Sequence, residues 1–193
     1  MGLIRMYVEN MALYMAAALP FYVLARILFL IRGKKHTTVL RELAVALFCL
    51  YIVGLASQTV IPKWDAGFDS STNTWYFHFI TTSEVAKVNL VPFRTVSMFI
   101  QSNEHVSDWE SVSLVNVVGN MLIFTPIGLF VPMLWRKLQT WWTVFLVGFG
   151  VTCLIEGFQF FIGRSSDIDD VILNTIGVMI GYGLFLIGSK IAR

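Results

Sequence analysis

The sequence predicts an all-α integral membrane protein with about five transmembrane helices, one long outer loop, an N-terminus outside and a C-terminus in the cytoplasm. Three observations predict it. Of the 193 residues, 56% are hydrophobic and only 13% are charged, against about 25% charged in an ordinary soluble domain. Mean hydropathy is +0.72, so too few polar residues remain to coat a soluble fold of this length. The apolar residues gather into five long runs, and a hydrocarbon core of about 30 Å takes about 20 of them as helix. The same composition excludes a secreted disulfide scaffold, a disordered tail and a coiled coil. A net charge of +2 is too small to argue for a nucleic-acid partner.

The predicted spans are Met11–Ile31, Leu43–Ile61, Ser113–Leu134, Trp142–Ile162 and Val171–Ile187. Arg32, Lys34 and Lys35 follow the first span, whereas Arg5 alone precedes it, the reverse of a cleavable leader, so the helix is expected to be retained. Arg26, near the cytoplasmic end of that span, is expected to snorkel outward. The last span is short, and Gly177, Gly181, Gly183 and Gly188 leave room for close helix packing. Pro126 and Pro132 are expected to kink the third span near its inner end. Cys49 and Cys153 lie in apolar runs and are expected to be small core residues. Six Trp and six Tyr suit the membrane–water interface.

Orientation follows from the Lys and Arg of the loops. Arg32, Lys34, Lys35, Arg41, Arg136, Lys137, Lys190 and Arg193 fall on one side; Arg5, Lys63, Lys87, Arg94 and Arg164 fall on the other. The first set is denser at span ends and is expected to be cytoplasmic. Asp65, Asp69, Glu84, Glu104, Asp108, Glu110, Asp167, Asp169 and Asp170 then face outward. Residues 62–112 form the long outer loop. Its apolar patches, Trp75-Tyr76-Phe77 and Val96-Ser97-Met98-Phe99-Ile100, are expected to rest partly on the bilayer as a short amphipathic or re-entrant piece. There is no internal repeat, and residues 1–193 are expected to form one domain. His36, His78 and His105 fall in predicted loops without metal-ligand spacing and receive no role.

Function is most legible where charge is expensive. Glu156 lies within the fourth span, roughly 10 Å below its outer end at about 1.5 Å per residue. An acid there needs a partner, a cavity or a proton. Gln159, three residues on, shares its helical face, and Thr152 extends that face inward. The fifth span carries a matching stripe of Asp170, Asn174, Gly177 and Gly181, and the third carries Asn116 and Asn120. Faced together, these stripes make a polar pocket open to the outside. Simple alternatives stand beside that reading: the amides equally serve as interhelical hydrogen-bonding groups, and Glu156 with Arg164 equally forms a structural ion pair.

The turn Gly163-Arg164-Ser165-Ser166-Asp167-Ile168-Asp169-Asp170 lies at the pocket mouth. Arg164 is placed to neutralise Glu156 or Asp167, or to grip a phosphate or carboxylate. Asp169 and Asp170 are equally suited to capping the fifth helix. No metal site and no cofactor is assigned; Asp167, Asp169 and Asp170 are the residues that would offer oxygen ligands to a divalent cation.

Asn89-Leu90-Val91-Pro92-Phe93 precedes a span; Asn116 leads through Gly119-Asn120 to Phe124-x-Pro126-x-Gly128; then come Glu156-x-x-Gln159, Arg164-x-x-Asp167-x-Asp169-Asp170, Asn174 and Gly177. In this order the residues resemble the VanZ-like family of bacterial membrane proteins, over about Asn89 to Gly181. The first two spans are generic. The resemblance carries the family pattern onto Asn89, Pro92, Phe93, Asn120, Glu156, Gln159, Arg164, Asp167, Asp170 and Asn174. With Arg94 and Asn116, these make up the expected ligand-binding set, Pro92 and Phe93 aside. The family's namesake is associated with low-level teicoplanin resistance, and many members sit in Gram-positive plasma membranes.

Three functions are therefore weighed. In the first, an outer polar pocket binds a membrane lipid headgroup, a lipid-linked cell-wall precursor or a lipoglycopeptide antibiotic. In the second, an intramembrane enzyme modifies a lipid-linked substrate with Glu156 as general acid or base. The third is a proton- or cation-coupled transporter, for which five spans without a repeat suit only a homo-oligomer. No nucleic-acid partner is expected.

Overall fold

The computed structural model describes residues 3–33, 37–61, 64–79, 88–101 and 109–191. Lys34, Lys35, Lys63, Glu84, Lys87, Glu104, Asp108 and Arg193, which entered the topology argument, lie outside them, as do His36 and His105. The chain is mostly helical, and five of its helices are long and apolar enough to cross a membrane. They are α1 (Leu3–Gly33), α2 (Val39–Thr59), α4 (Trp109–Leu134), α5 (Trp141–Phe161) and α6 (Ile168–Ile191). Between α2 and α4 come β1 (Trp64–Asp69), β2 (Thr74–Phe79), β3 (Val88–Asn89) and the short helix α3 (Arg94–Gln101); β4 (Ser166–Asp167) joins α5 to α6.

α6 is the centre of the bundle and packs against both α4 and α5, α2 packs on α4, and α1 packs on α2. The α4–α6 contact is made by backbone. A Cβ placed on Gly177 would fall 2.1 Å from the Met121 carbonyl oxygen, and one on Gly181 would fall 1.9 Å from that of Thr125. From the other side, a Cβ on Gly128 would fall 1.7 Å from the Val178 carbonyl oxygen. Lipid tails are as apolar as Leu, so helices in a bilayer associate through such close approach rather than through hydrophobic burial. Met121 abuts Gly177 and Thr125 abuts Gly181, so the two helices run parallel. The expected role holds for Gly177 and Gly181 but not for Gly183 and Gly188, where an added Cβ meets nothing within 4 Å. Gly128 and Gly148 complete the seam instead, Gly148 receiving the Val178 side chain.

Charge at the α1–α2 junction is also resolved between helices. Arg26 is met by an acid on the next helix. Its Nε and Nη2 each donate at 2.7 Å to the carboxylate of Glu42, in the first turn of α2. Its guanidinium also lies 5.1 Å above the Phe29 ring. A bidentate carboxylate on the next helix satisfies the cation where it stands, half-buried, so it need not reach for water. Thr38 caps α2 and Thr140 caps α5, each offering its hydroxyl oxygen to a backbone N–H three residues on. Pro126 and Pro132 both lie inside α4, and Gln139 donates to the Pro132 carbonyl at 3.0 Å. Trp135, Trp141 and Trp142 are exposed around the α4–α5 connection, as interfacial aromatics are. Cys49 and Cys153 are exposed rather than core residues, because the small inward-facing positions of their helices are taken by others, such as Gly54 and Thr152.

The segment after α2 is more ordered than a loop. β1 and β2 pair antiparallel with Asp69 opposite Thr74. Asn73 closes the turn with φ of 55°, in the left-handed region that Asn tolerates. Asp69 accepts from the Ser71 amide at 2.8 Å and hydroxyl at 2.6 Å, which hold its carboxyl down to about 2. Trp75, Tyr76 and Phe77 lie in β2, with Phe68 and Trp75 edge to face at 5.4 Å. His78, placed in a loop by the sequence pattern, is a β2 residue stacked on Tyr76. The Val96–Ile100 patch is the amphipathic helix α3.

Substituting Gly181→Val would drive a branched side chain into the α4 backbone. The expected cost is more than about 3 kcal/mol, whereas Gly183→Ala should stay within about 0.5 kcal/mol. Detergent-titration unfolding of the purified full chain measures both.

Candidate functional site

The polar residues of α4, α5 and α6 meet where α5 ends and α6 begins. The end of α5 is shaped by Gly163, whose φ of +80° is open to glycine and strained for most others. With it in place, the Gly163 amide donates to the Phe160 carbonyl at 3.1 Å and the Arg164 amide to the Gln159 carbonyl at 2.9 Å. This pair of bonds is a Schellman ending, which closes the last carbonyls of the helix. The chain then turns through β4, which pairs in parallel with β3 in the register Val88 to Ser166 and Asn89 to Asp167.

That pairing starts a continuous network. Asp167 Oδ1 accepts from the Asn89 side-chain amide at 3.0 Å and from the Asp169 backbone N–H at 2.9 Å. The second bond makes Asp167, not Asp169 or Asp170, the N-cap of α6. Its Oδ2 accepts from the Thr95 hydroxyl, and its own backbone N–H donates to Glu156 Oε2 at 2.8 Å. Glu156 is 5% exposed, and the Ser166 hydroxyl also lies on its carboxylate.

Asp169 is 1% exposed and caps a helix other than its own. Its Oδ1 accepts from the Phe93 amide, and its Oδ2 from the amides of Thr95 at 2.8 Å and Val96 at 3.1 Å. These are the free N–H groups at the start of α3. Phe93 sits at the capping position, where Ser, Thr, Asp or Asn would serve, and has no acceptor to offer. Its φ of 61° is costly for a bulky residue, and the carboxylate of Asp169 both caps the helix and holds that conformation.

The remaining candidates fall into two further groups. Asn120 donates to Asp170 Oδ1 at 2.7 Å, joining α4 to α6. Gln159 donates to the Thr59 carbonyl at 3.0 Å, and Arg164 Nη1 donates to the same carbonyl at 2.9 Å. Arg164 therefore makes no direct ion pair with Glu156 or Asp167. A guanidinium at the last carbonyls of α2 meets the negative end of the helix dipole, and this is what docks the α5–α6 turn onto α2. Among the described residues the ion pairs are Arg5–Glu9 and Arg26–Glu42. Asn174 is 4% exposed and its Oδ1 has no hydrogen-bond partner. Asn116, one turn before Asn120, is half-buried, and Arg94 is exposed at the start of α3; neither joins the network.

Thr95 was missed by sequence reasoning, although it contributes a hydroxyl and an amide to the two aspartates. The available signal was the lack of a capping side chain ahead of Thr95-Val96, which demands an acceptor from elsewhere. Among the described residues, no three His, Cys, Asp or Glu side chains gather as a metal centre. The oxygens of Asp167 and Asp169 are taken by protein donors. What the arrangement offers chemically is a set of acceptors, buried at Glu156 and Asn174 and half-buried at Asp170, with an exposed guanidinium on the adjoining turn.

Replacing Asp169→Ala leaves three backbone N–H groups without their acceptor. The full chain should lose about 3 kcal/mol, and hydrogen exchange at Phe93, Thr95 and Val96 should accelerate while that of α4 does not. Asp169→Asn, which keeps one oxygen, should fall between Ala and the parent.

A comparison with family models matches VanZ/LLP1 over residues 48–189, from within α2 to near the end of α6. No curated protein and no solved structure matches. The match begins well before Asn89, so the second half of α2, generic by its sequence, lies inside the family region together with the Thr59 carbonyl that Gln159 and Arg164 share. With well over half of its length covered, the chain belongs to the VanZ/LLP1 family and is a multi-pass membrane protein.

Proposed function

We propose that this protein binds the headgroup of a membrane lipid, a lipid-linked cell-wall precursor or a lipoglycopeptide antibiotic at the α4–α5–α6 polar cluster, and thereby contributes to teicoplanin-type resistance. The cluster faces outward on this reading, in the plasma membrane of a Gram-positive bacterium, with the N-terminus outside and the C-terminus inside. One observation carries the proposal: the β3–β4 pairing sets an exposed apolar segment against buried polar groups. Asn89 is bonded to Asp167, and directly after it Leu90, Val91 and Phe93 are all more than half exposed. An amphiphile presents the same juxtaposition, a polar head beside an apolar body, and Arg94 and Arg164 lie exposed at its edge for a phosphate or carboxylate.

The burial of Glu156 supports a second reading, an intramembrane enzyme acting on a lipid-linked substrate. A carboxylate that is 5% exposed and oriented by the Asp167 amide has the isolation that a general acid or base requires. Lipid and precursor profiles by mass spectrometry separate the two: they should be identical with and without Glu156→Gln if the protein only binds.

Glu156→Gln keeps an oxygen for the Asp167 amide and removes the charge, so it should fold. Arg164→Ala removes the rim cation, and Arg164→Lys retains a donor for Thr59. With expression matched, Glu156→Gln and Arg164→Ala should return the host to the teicoplanin susceptibility of cells lacking the protein. Unchanged susceptibility in both overturns the reading.

A further inference from the structure

Among the described residues, two acceptors of the cluster lack a full set of donors. Asp167 and Asp169 are fully engaged by protein donors. Asp170 receives a single donor, Asn120, and Asn174 Oδ1 receives none although the residue is 4% exposed. The two lie one helical turn apart on α6, on the face that Gly177 and Gly181 press against α4. Asn120 reaches across from α4 to Asp170, one turn before Asn174. Glu156 adds a further carboxylate from α5. Arg164, the cation nearest in sequence, spends its Nη1 on the carbonyls of α2 and leaves the rest of its guanidinium exposed. A buried carbonyl oxygen without a donor costs about 1–3 kcal/mol, and a carboxylate without a direct ion pair adds to that.

We infer that the Asp170–Asn174 face receives an ammonium group, so that the headgroup bound at this site is that of an aminolipid. This rests on the headgroup-binding reading above and narrows it. An ammonium brings three N–H donors and one positive charge, which is what an amide oxygen and a half-satisfied carboxylate lack. A phosphate placed there would meet carboxylates. A divalent metal would need more oxygen ligands than one aspartate and one amide supply, and no group of three ligating side chains gathers among the described residues. The exposed Arg164, on the turn that leads into α6, is suited to the phosphate of the same headgroup.

The test compares headgroups that differ in this one property. The full-length protein in detergent micelles, in sodium buffer, is loaded with equal amounts of phosphatidylethanolamine, phosphatidylcholine and phosphatidylglycerol. The lipid that copurifies is quantified by mass spectrometry. Phosphatidylcholine keeps the phosphate and the charge but has no N–H, so phosphatidylethanolamine should be retained about tenfold over it, the worth of one charge-assisted hydrogen bond. Asn174→Leu should bring the ratio close to one, and Asn174→Asp, which keeps the acceptor, should preserve it and reports on folding. Added ethanolamine distinguishes the source: displacement of the lipid shows that a free amine suffices, and resistance to it shows that the lipid-borne group is required, ammonium recognition standing in either case. Equal retention of phosphatidylethanolamine and phosphatidylcholine overturns the inference, as does a preference that survives Asn174→Leu or disappears on adding sodium chloride. If phosphatidylglycerol dominates through Arg164, headgroup binding stands and the ammonium inference falls; if no lipid is enriched, both fall.

Discussion

The carboxylate of Asp169 is the tie on which the polar end of the bundle depends. It is buried in the first turn of α6 and accepts the three amides that open α3, a helix more than seventy residues earlier in the chain. Without an acceptor at that point α3 would begin on Phe93, a residue that cannot cap it and whose backbone is in a costly conformation. With the acceptor there, Thr95 is brought to Asp167, Asp167 is aligned to cap α6, and its amide is turned to Glu156. Each bond fixes the geometry of the next, so a network of this kind is rigid when complete.

The seam between α4 and α6 sets the depth at which these groups meet. Backbone contact at Gly128, Gly177 and Gly181 allows little sliding, because a shift of one residue would put a side chain where only a hydrogen fits. That fixed register is what brings Asn120 to Asp170 and leaves Asn174 without a donor. The glycines therefore act on the site although they carry no chemistry. They decide which polar atoms of α6 find partners on α4 and which do not.

The spans were legible because apolar runs of this length have few other uses, and the polar positions were legible because lipid makes them expensive. Glu156, Asp170 and Asn120 stand out on that ground and Asp167 by its place in the adjoining turn, and the structure links them in pairs, Glu156 to Asp167 and Asn120 to Asp170. Their partners were not legible. Arg164 is three residues from Asp167 in sequence, yet it bonds the end of α2, because a helix C-terminus with open carbonyls lies within its reach and sequence distance carries no information about that. Thr95 looks like any threonine until the uncapped start of α3 is noticed. Glycine spacing identified a face, but Gly183 and Gly188 lie off the seam and Gly128 lies on it, which only the partner helix reveals. The connection between α2 and α4 was longer than any sequence signal could organise, and its hairpin depends on pairings and a left-handed Asn73 that the aromatic pattern did not suggest.

The same physics divides the chain into a part that builds the site and a part that accompanies it. α1 has no buried residues in its most apolar window, whereas a third of each corresponding window in α4, α5 and α6 is buried. It is held through α2, by the Arg26–Glu42 pair at one end and by Met11 and Met15 against Gly54 further along. Neither contact reaches the polar cluster. α2 does reach it, because its last carbonyl receives Gln159 and Arg164. The family match begins at residue 48, inside α2 and beyond α1. The matched region and the packed unit therefore nearly coincide: residues 48–189 contain the end of α2 and the helices α4, α5 and α6, whose ends supply hydrogen-bonding groups to one another.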